Sequence, residues 1–191
     1  MTREIFVSTD IEADGPIPGP YSMLSLGSAA FVVNYDLSIS LIEKFSVNLD
    51  QLPSASQDQC TMNFWSKHPN ALKAARKDRV SPEEGMIKYF DWLKKLPGKV
   101  VFTAWPATYD FMFVNWYLMY FVGESPFQWS GLDAKSYFMG MSKQESWLKT
   151  SMKQLPSDWI PDNPEPHIAL NDAIEQGWMF CHMYAKNMRN K

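Results

Sequence analysis

Three strand-like runs follow one another at the start of the chain with no helical segment between them, and this order restricts the possible folds most strongly. Residues 4–13, 23–33 and 39–48 are rich in apolar and β-branched residues. The Pro- and Gly-rich segment 14–20 favours a loop after the first run, and Asp36 marks a short hairpin turn before the third. Strands joined by such short connections pair antiparallel. The pattern therefore predicts an antiparallel meander.

Beyond residue 50 the pattern alternates between helix and strand. Ser81-Pro82-Glu83-Glu84 is typical of a helix start, with a capping serine, a proline in the first turn and acids near the positive end of the helix dipole. The chain is therefore predicted to be one α/β domain over residues 1–191, with a mixed sheet between helices. Helices are predicted over 63–77, 81–96, 109–121, 133–140 and 169–188, and strands over 99–104 and 127–132, with an irregular Pro-rich stretch over 141–165.

Two carboxylates end the first strand-like run. Asp10 and Glu12 are two residues apart, so an extended backbone directs both side chains to the same face of the sheet. Like charges held this close destabilise each other unless a cation lies between them. The pair predicts a cation site, although solvated acids in a turn would also explain it.

A histidine and an aspartate five residues apart introduce the last predicted helix. His167 and Asp172 would lie about 140° apart on one continuous helix and would not share a face. Pro164 and Pro166 remove this difficulty by keeping His167 in the loop or at the helix entrance. Asp172 then falls in the first turn, where the helix dipole favours its ionised form. The alternative is a capping histidine with an ordinary first-turn acid.

A single acid interrupts an otherwise apolar segment after the predicted strand 99–104. Asp110 lies between Tyr109 and the run 111–114, and a buried carboxylate is costly unless it is paired or binds a metal. It is therefore a third candidate ligand. A cap at the start of the helix is the other explanation.

Together the three motifs resemble those of the DEDDh subgroup of 3'-to-5' exonucleases. The matching segments are Asp10-Ile-Glu12-Ala13, Ala107-Thr108-Tyr109-Asp110 and His167-Ile-Ala-Leu-Asn-Asp172-Ala173, in that order along nearly the whole chain. The resemblance implies an RNase H-like mixed sheet with three antiparallel strands, then two parallel ones, flanked by helices. It also implies a divalent-metal-dependent 3'-5' exonuclease that hydrolyses nucleotides from the 3' end of single-stranded RNA or DNA.

The same resemblance implies a role for each motif residue. Asp10 would bridge two Mg²⁺ or Mn²⁺ ions, Glu12 and Asp172 would hold the first, and Asp110 would support the second. His167 would act as the general base that accepts a proton from the attacking water. Two such ions can activate this water and stabilise the departing 3' oxygen, and oxygen ligands favour Mg²⁺ or Mn²⁺ over Zn²⁺.

Three further residues are candidates for binding the terminal nucleotide. The backbone of Ala13 would approach the nucleotide, as it does after the glutamate in the family. Trp105 and Tyr109 are aromatic substitutions in the second motif that could stack on a base, or could pack in the core. The chain also departs from the family's usual Thr-Gly after the glutamate, because it has Ala13-Asp14 there.

Composition adds few constraints. The net charge of −3 does not by itself indicate a nucleic-acid binder, and the two cysteines, Cys60 and Cys181, favour a reducing compartment. The chain contains no run of 18 apolar residues, and its N-terminus shows no cleavage signal, which predicts a cytoplasmic protein with no membrane span. The Met- and Trp-rich composition is compatible with the homodimers common in the family. Two alternative functions stay open: an idle nuclease-fold module that binds nucleic acid or protein, and a phosphoesterase for small nucleotides.

Overall fold

The computed structural model describes residues 3–189, which form a five-stranded mixed sheet with helices on both faces. The strands are β1 (Glu4–Ala13), β2 (Met23–Val33), β3 (Ile39–Asn48), β4 (Lys99–Ala104) and β5 (Gly131–Asp133). The helices are α1 (Gln59–Trp65), α2 (Pro69–Ala75), α3 (Pro82–Lys95), α4 (Ala107–Phe121), α5 (Ala134–Met141) and α6 (Ala169–Arg189). Two short 3₁₀ turns lie between α5 and α6.

The sheet order is β3-β2-β1-β4-β5. The first three strands pair antiparallel, whereas β4 pairs parallel with β1 and β5 pairs parallel with β4. This confirms the predicted α/β class and RNase H-like arrangement, with three antiparallel strands followed by two parallel ones. β1 is the central strand, so whatever stands at its carboxyl end is surrounded by other elements.

Two apolar clusters hold the helices to the sheet. The first lies under α3 and α4 and contains Ile5, Val7 and Tyr89, and the second lies under α5 and α6 and contains Phe31 and Phe180. Because side chains alternate along β1, its odd-numbered residues face the first cluster, while Phe6 and the even-numbered residues after it face α6.

Three sequence-based boundaries were wrong. The helix predicted over 63–77 is two short helices, because the chain breaks at Ser66–His68 before Pro69 begins the second. The strand predicted over 127–132 is limited to Gly131–Asp133, because Phe127 is buried in the first cluster within a turn. The helix predicted from residue 109 begins at Ala107, whose N–H donates to the Asp133 carboxylate at 2.7 Å.

Across residues 3–189 none of the helices combines the length and apolar character that crossing a membrane requires.

Candidate active site

The carboxyl end of β1 carries the first two candidate ligands. Asp10 pairs across the sheet with Gly27 and Glu12 with Ser25, and both side chains lie on the face covered by α6. Glu12 is 9% exposed and Asp10 is partly buried. The predicted common face of the two acids is therefore present in the fold.

The start of α6 rests directly on β2 beside these acids. A Cβ on Gly27 would lie 2.2 Å from the backbone nitrogen of Leu170, so only glycine allows this approach. The close contact places Asp172, in the first turn of α6, over the end of β1. One ligand atom each of Glu12, His167 and Asp172 lies within 4.8 Å of the other two.

Asp172 is held by donors from the loop that precedes α6. Its Oδ2 accepts the backbone N–H of His167 at 2.9 Å, and its Oδ1 accepts the side-chain amide of Asn163 at 2.6 Å. Asn163 also donates to Glu175 at 3.0 Å. These bonds fix the loop and the carboxylate relative to each other.

His167 lies in the loop before the helix, as the two prolines predict. Its φ of +64° is an uncommon backbone conformation for a residue other than glycine. Its ring packs edge-on against His68, with centroids 4.5 Å apart, and against Phe64 at 5.1 Å. The imidazole is thus held between α1, α2 and the two carboxylates.

Asp110 reaches the same end of the sheet from α4. It is 6% exposed, and its Oδ1 accepts the backbone N–H of Ile11 at 3.0 Å. Because α4 begins three residues earlier, Asp110 is inside the first turn and is not the residue that caps the helix. Its contact with the residue between Asp10 and Glu12 brings the third acid beside the first two.

Burial raises the pKa of all four carboxylates, and the charges of neighbouring acids add to this effect at Asp10 and Glu12. Burial, followed by the charges of Asp172 and Asp110, raises the pKa of Glu12 to about 9. Burial raises the pKa of Asp110 to about 7 and also raises that of Asp172. For Asp10, burial and then the charges of Asp110, Glu12 and Asp172 raise the pKa well above its ordinary range. A cluster of this kind is stable in its ionised form only with cations among the oxygens.

This donor set suits a hard divalent cation. Four carboxylates meet in a partly buried site, and none of the described cysteines is among them. Mg²⁺ and Mn²⁺ prefer oxygen ligands of this type. The residues present therefore fit the metal chemistry that the sequence motifs imply.

The three candidate nucleotide-binding residues lie in different surroundings. Tyr109 is 37% exposed, and its hydroxyl donates to the Gly15 carbonyl at 3.0 Å. Ala13 is buried, and its carbonyl accepts the Trp65 indole N–H at 2.9 Å. Trp105 is half-buried and packs against Phe138, with ring centroids 6.0 Å apart. Only Tyr109 combines an exposed ring with proximity to the carboxylates, and contacts of all three with a nucleotide stay predictions.

Sequence reasoning missed two residues that contact the acids. Gln176 donates to Asp10 at 2.9 Å, and Asn163 donates to Asp172. Gln176 lies four residues after Asp172 on α6, so helical spacing alone was a signal for it. No comparable signal marks Asn163 in the irregular Pro-rich stretch.

Asp14, the acid that departs from the family pattern, has a different role. It is fully buried, and its carboxylate accepts the Ser22 N–H and the Gln51 side-chain amide, each at 2.6 Å. Its carbonyl accepts the Asp58 N–H at 2.8 Å. Asp14 therefore ties the loop after β1 to the segment after β3.

A relative among curated proteins decides the family. The 3'-5' DNA exonuclease Cap18 of Escherichia coli is 32% identical to this chain over 182 residues, which cover 93% of this chain and 90% of that protein. The chain belongs to the 3'-5' exonuclease family of this relative. It is a 3'-5' exonuclease, an enzyme rather than an idle binding module. No family model matches it.

Solved structures share the fold of this exonuclease at low sequence identity. The nuclease domain of 3'hExo, a DEDDh family member bound to rAMP, has a TM-score of 0.66 and 11% identity, covering 98% of this chain and 92% of that chain. Pop2p of S. pombe, in a form with Mg²⁺ and Mn²⁺ bound, has a TM-score of 0.65 and 12% identity over 97% of this chain and 85% of that one. E. coli Exonuclease I in complex with a dT13 oligonucleotide has a TM-score of 0.69 and 12% identity, covering 98% of this chain and 42% of that chain.

Proposed function

We propose that this exonuclease removes nucleotides one at a time from the 3' end of single-stranded DNA, as one domain, with two Mg²⁺ or Mn²⁺ ions in its site. The observation that carries the proposal is the convergence of Asp10, Glu12, Asp110, Asp172 and His167, from three separate parts of the chain, at one end of β1. The choice of DNA is supported by the relative, which is named as a DNA exonuclease. The choice of a single strand is supported by Exonuclease I, which shares the fold and is complexed with dT13.

The carboxylates would divide between the two ions. Asp10 is surrounded by the other three acids and would contact both ions, Glu12 and Asp172 would hold the first, and Asp110 would support the second. When bound there, the ions would supply polarisation of the scissile phosphate, a lower pKa for an attacking water and stabilisation of the departing 3' oxygen. The protein's own contribution is the fixed placement of the oxygens, through the donors on Asp110 and Asp172.

His167 would accept the proton of the attacking water. Its imidazole lies beside Glu12 and Asp172, on the side where the first ion would be held. Contacts with His68 and Phe64 restrict the ring's rotation, and the His167 N–H ties its backbone to Asp172. A positioned general base of this kind contributes about 10²- to 10⁴-fold to a rate.

Tyr109 is the aromatic residue best placed to stack on the terminal base. Its ring is exposed next to Asp110, and the hydrogen bond to Gly15 fixes its orientation. Base stacking on an aromatic side chain contributes about 1–3 kcal/mol per base. Backbone contacts by Ala13 and stacking by Trp105 complete the proposed nucleotide pocket.

The experiment compares 5'-labelled twenty-nucleotide DNA and RNA of the same sequence, each incubated with Mg²⁺ or Mn²⁺. We expect a ladder of DNA products shortened from the 3' end, its loss with EDTA, and its loss in Asp10→Ala. A ladder from RNA alone would contradict the DNA assignment. Cleavage restricted to dinucleotides would favour the small-nucleotide phosphoesterase instead.

We further propose that the exonuclease is a cytoplasmic homodimer. The outward face of α4 bears Trp116, Met119 and Tyr120, and the last two are 51% and 68% exposed, which suits a surface between copies. Light scattering should give twice the chain mass at micromolar concentration, falling to one chain in Tyr120→Glu.

The cytoplasmic location is supported by the two cysteines. Cys60 and Cys181 are both free thiols within the described residues, which suits a reducing compartment. Cell fractionation should place the enzyme with cytoplasmic markers.

A further inference from the structure

Gln176 occupies a central position under the carboxylates. It lies one helical turn after Asp172 on α6 and is 6% exposed. Its amide nitrogen donates to Asp10 Oδ1 at 2.9 Å, and its amide oxygen accepts the backbone N–H of Trp105 at 2.8 Å. One side chain therefore links α6, the end of β1 and the turn after β4.

The direction of these two bonds is determined by chemistry. A backbone N–H can only donate, so the group of Gln176 that faces Trp105 must be the carbonyl oxygen. The NH₂ group must then face Asp10, where it can donate to an ionised carboxylate. This donor lowers the pKa of Asp10, against the effects of burial and of three neighbouring acids that raise it.

The Trp105 bond extends the influence of Gln176 to a second acid. Trp105 begins the turn that leads from β4 into α4, and Asp110 stands in the first turn of that helix. The same amide thus orients Asp10 directly and anchors the segment that carries Asp110. Residues that hold metal ligands in this way typically change metal affinity or activity by about 10- to 100-fold when replaced.

We propose that Gln176 is a positioning residue that fixes Asp10, and through Trp105 the Asp110 turn, for divalent-metal binding by this exonuclease. The inference rests on the proposed function, since Asp10 is a metal ligand only there. Gln176 itself contacts neither substrate nor reacting atoms; it acts through the carboxylate it holds.

The first test uses Gln176→Met, which keeps most of the side-chain volume and removes both hydrogen bonds. Calorimetric titration of the nucleic-acid-free protein with Mn²⁺ should show affinity about tenfold or more below that of the wild type. Gln128→Met, in an exposed turn beyond the far end of α4, should bind Mn²⁺ as the wild type does. Wild-type Mn²⁺ affinity in a folded Gln176→Met protein would overturn the proposal.

The second test separates orientation of Asp10 from a structural role at Trp105. In its ionised form, which bound cations next to it favour, the Gln176→Glu side chain retains an oxygen for the Trp105 N–H but places a carboxylate oxygen, with no donor, against Asp10. We expect kcat on a 5'-labelled oligonucleotide to fall about tenfold or more at saturating Mn²⁺, with KM unchanged, because no nucleotide contact is altered. Gln128→Glu, which makes the same chemical change on the surface, should leave kcat unchanged.

These outcomes distinguish failure of the role of Gln176 from failure of the proposed exonuclease function on which it rests. A wild-type protein that binds no Mn²⁺ and degrades no oligonucleotide would overturn the proposed function. An active wild type with wild-type kcat in Gln176→Glu would overturn only the inference, since Gln176 would then act through Trp105 alone. If Gln176→Met fails to fold, the Gln176→Glu result decides.

Discussion

The two ends of β1 carry opposite kinds of side chain, apolar at one end and acidic at the other, although they lie in one strand. At the amino end, Ile5, Phe6 and Val7 are buried among apolar side chains from both faces of the sheet. At the carboxyl end, Asp10 and Glu12 are held beside two more acids whose charges oppose their ionisation. Burial of apolar side chains at the amino end stabilises the folded state. The acidic cluster at the carboxyl end destabilises it until cations bind.

Packing constrains the residues at one end of β1, and function constrains those at the other. At the apolar end the volume of a side chain determines how well it packs. At the acidic end its charge, and the hydrogen-bond donors that orient that charge, determine whether it can bind a cation. Substitutions at the two ends should therefore separate stability from activity.

Neutralising Asp10 should have the largest effect on activity. Asp10→Asn removes the carboxylate proposed to contact both ions, and a loss of about 4 kcal/mol of transition-state stabilisation corresponds to about 10³-fold in kcat. The measurement is degradation of a 5'-labelled oligonucleotide. Asp36→Asn, the same change in the exposed β2–β3 hairpin near the opposite end of the sheet, should retain full activity. More than a tenth of wild-type activity in Asp10→Asn would contradict the proposed role of Asp10 as a ligand of both ions.

Removing the imidazole of His167 should slow the reaction without removing the metals. In His167→Ala we expect kcat to fall about 10²-fold, at the lower end of what a general base contributes, while Mn²⁺ affinity measured by calorimetry stays close to that of the wild type. His182→Ala is the matched control at the apolar end, where His182 stacks on Trp159 with centroids 5.8 Å apart. Loss of Mn²⁺ binding in His167→Ala would show instead that the imidazole is a ligand.

Two glycines under α6 provide a matched pair. A Cβ at Gly27 would meet the α6 backbone at Leu170, whereas a Cβ at Gly177 would meet the Phe31 ring. Both alanine variants should be destabilised by about 1–3 kcal/mol in denaturant titrations. Only Gly27→Ala should also lose about 10²-fold in kcat, because shifting the start of α6 moves Asp172. Equal kcat in the two folded variants would contradict this placement of Asp172.

The pH dependence of the thermal stability of the metal-free protein should show directly how unfavourable the ionised carboxylate cluster is. The folded-state pKa values of Glu12, about 9, and Asp110, about 7, lie above the ordinary values near 4. The folded state therefore binds more protons than the unfolded state above about pH 4, so stability falls as pH rises. With EDTA we expect Tm to drop by about 5 °C between pH 6 and pH 7, which is about 2 kcal/mol for a domain of this size.

The same titration with saturating Mn²⁺ is the control. Bound cations require ionised carboxylates, so the decline in Tm should disappear. A metal-free Tm that rises over this pH range would contradict the raised pKa values.

Much of this architecture was predictable because local patterns determine it. The three-strand meander, the Ser81 cap and the position of His167 before α6 follow from turn residues, capping chemistry and proline. The helix break before Pro69 was missed although proline disfavours a helical conformation at the residue before it, and the short β5 was missed because it depends on how segments pack.

The motif residues of the site could be predicted from the sequence, but the residues that hold them in place could not. The acids were found because charges in apolar surroundings demand an explanation, and the family resemblance joined them. Helical spacing from Asp172 was the one signal for Gln176, which contacts Asp10, and nothing in the sequence pattern marked the contact of Asn163 with Asp172. The same holds for Asp14, which belongs to a loop network and not to the carboxylate cluster.

The most direct test of the metal site is anomalous scattering from crystals grown with Mn²⁺ and a deoxynucleoside monophosphate. We expect two Mn²⁺ peaks about 4 Å apart, with Asp10 contacting both and the nucleotide beside Tyr109. Crystals that bind the nucleotide but show no Mn²⁺ at Asp10 would contradict it.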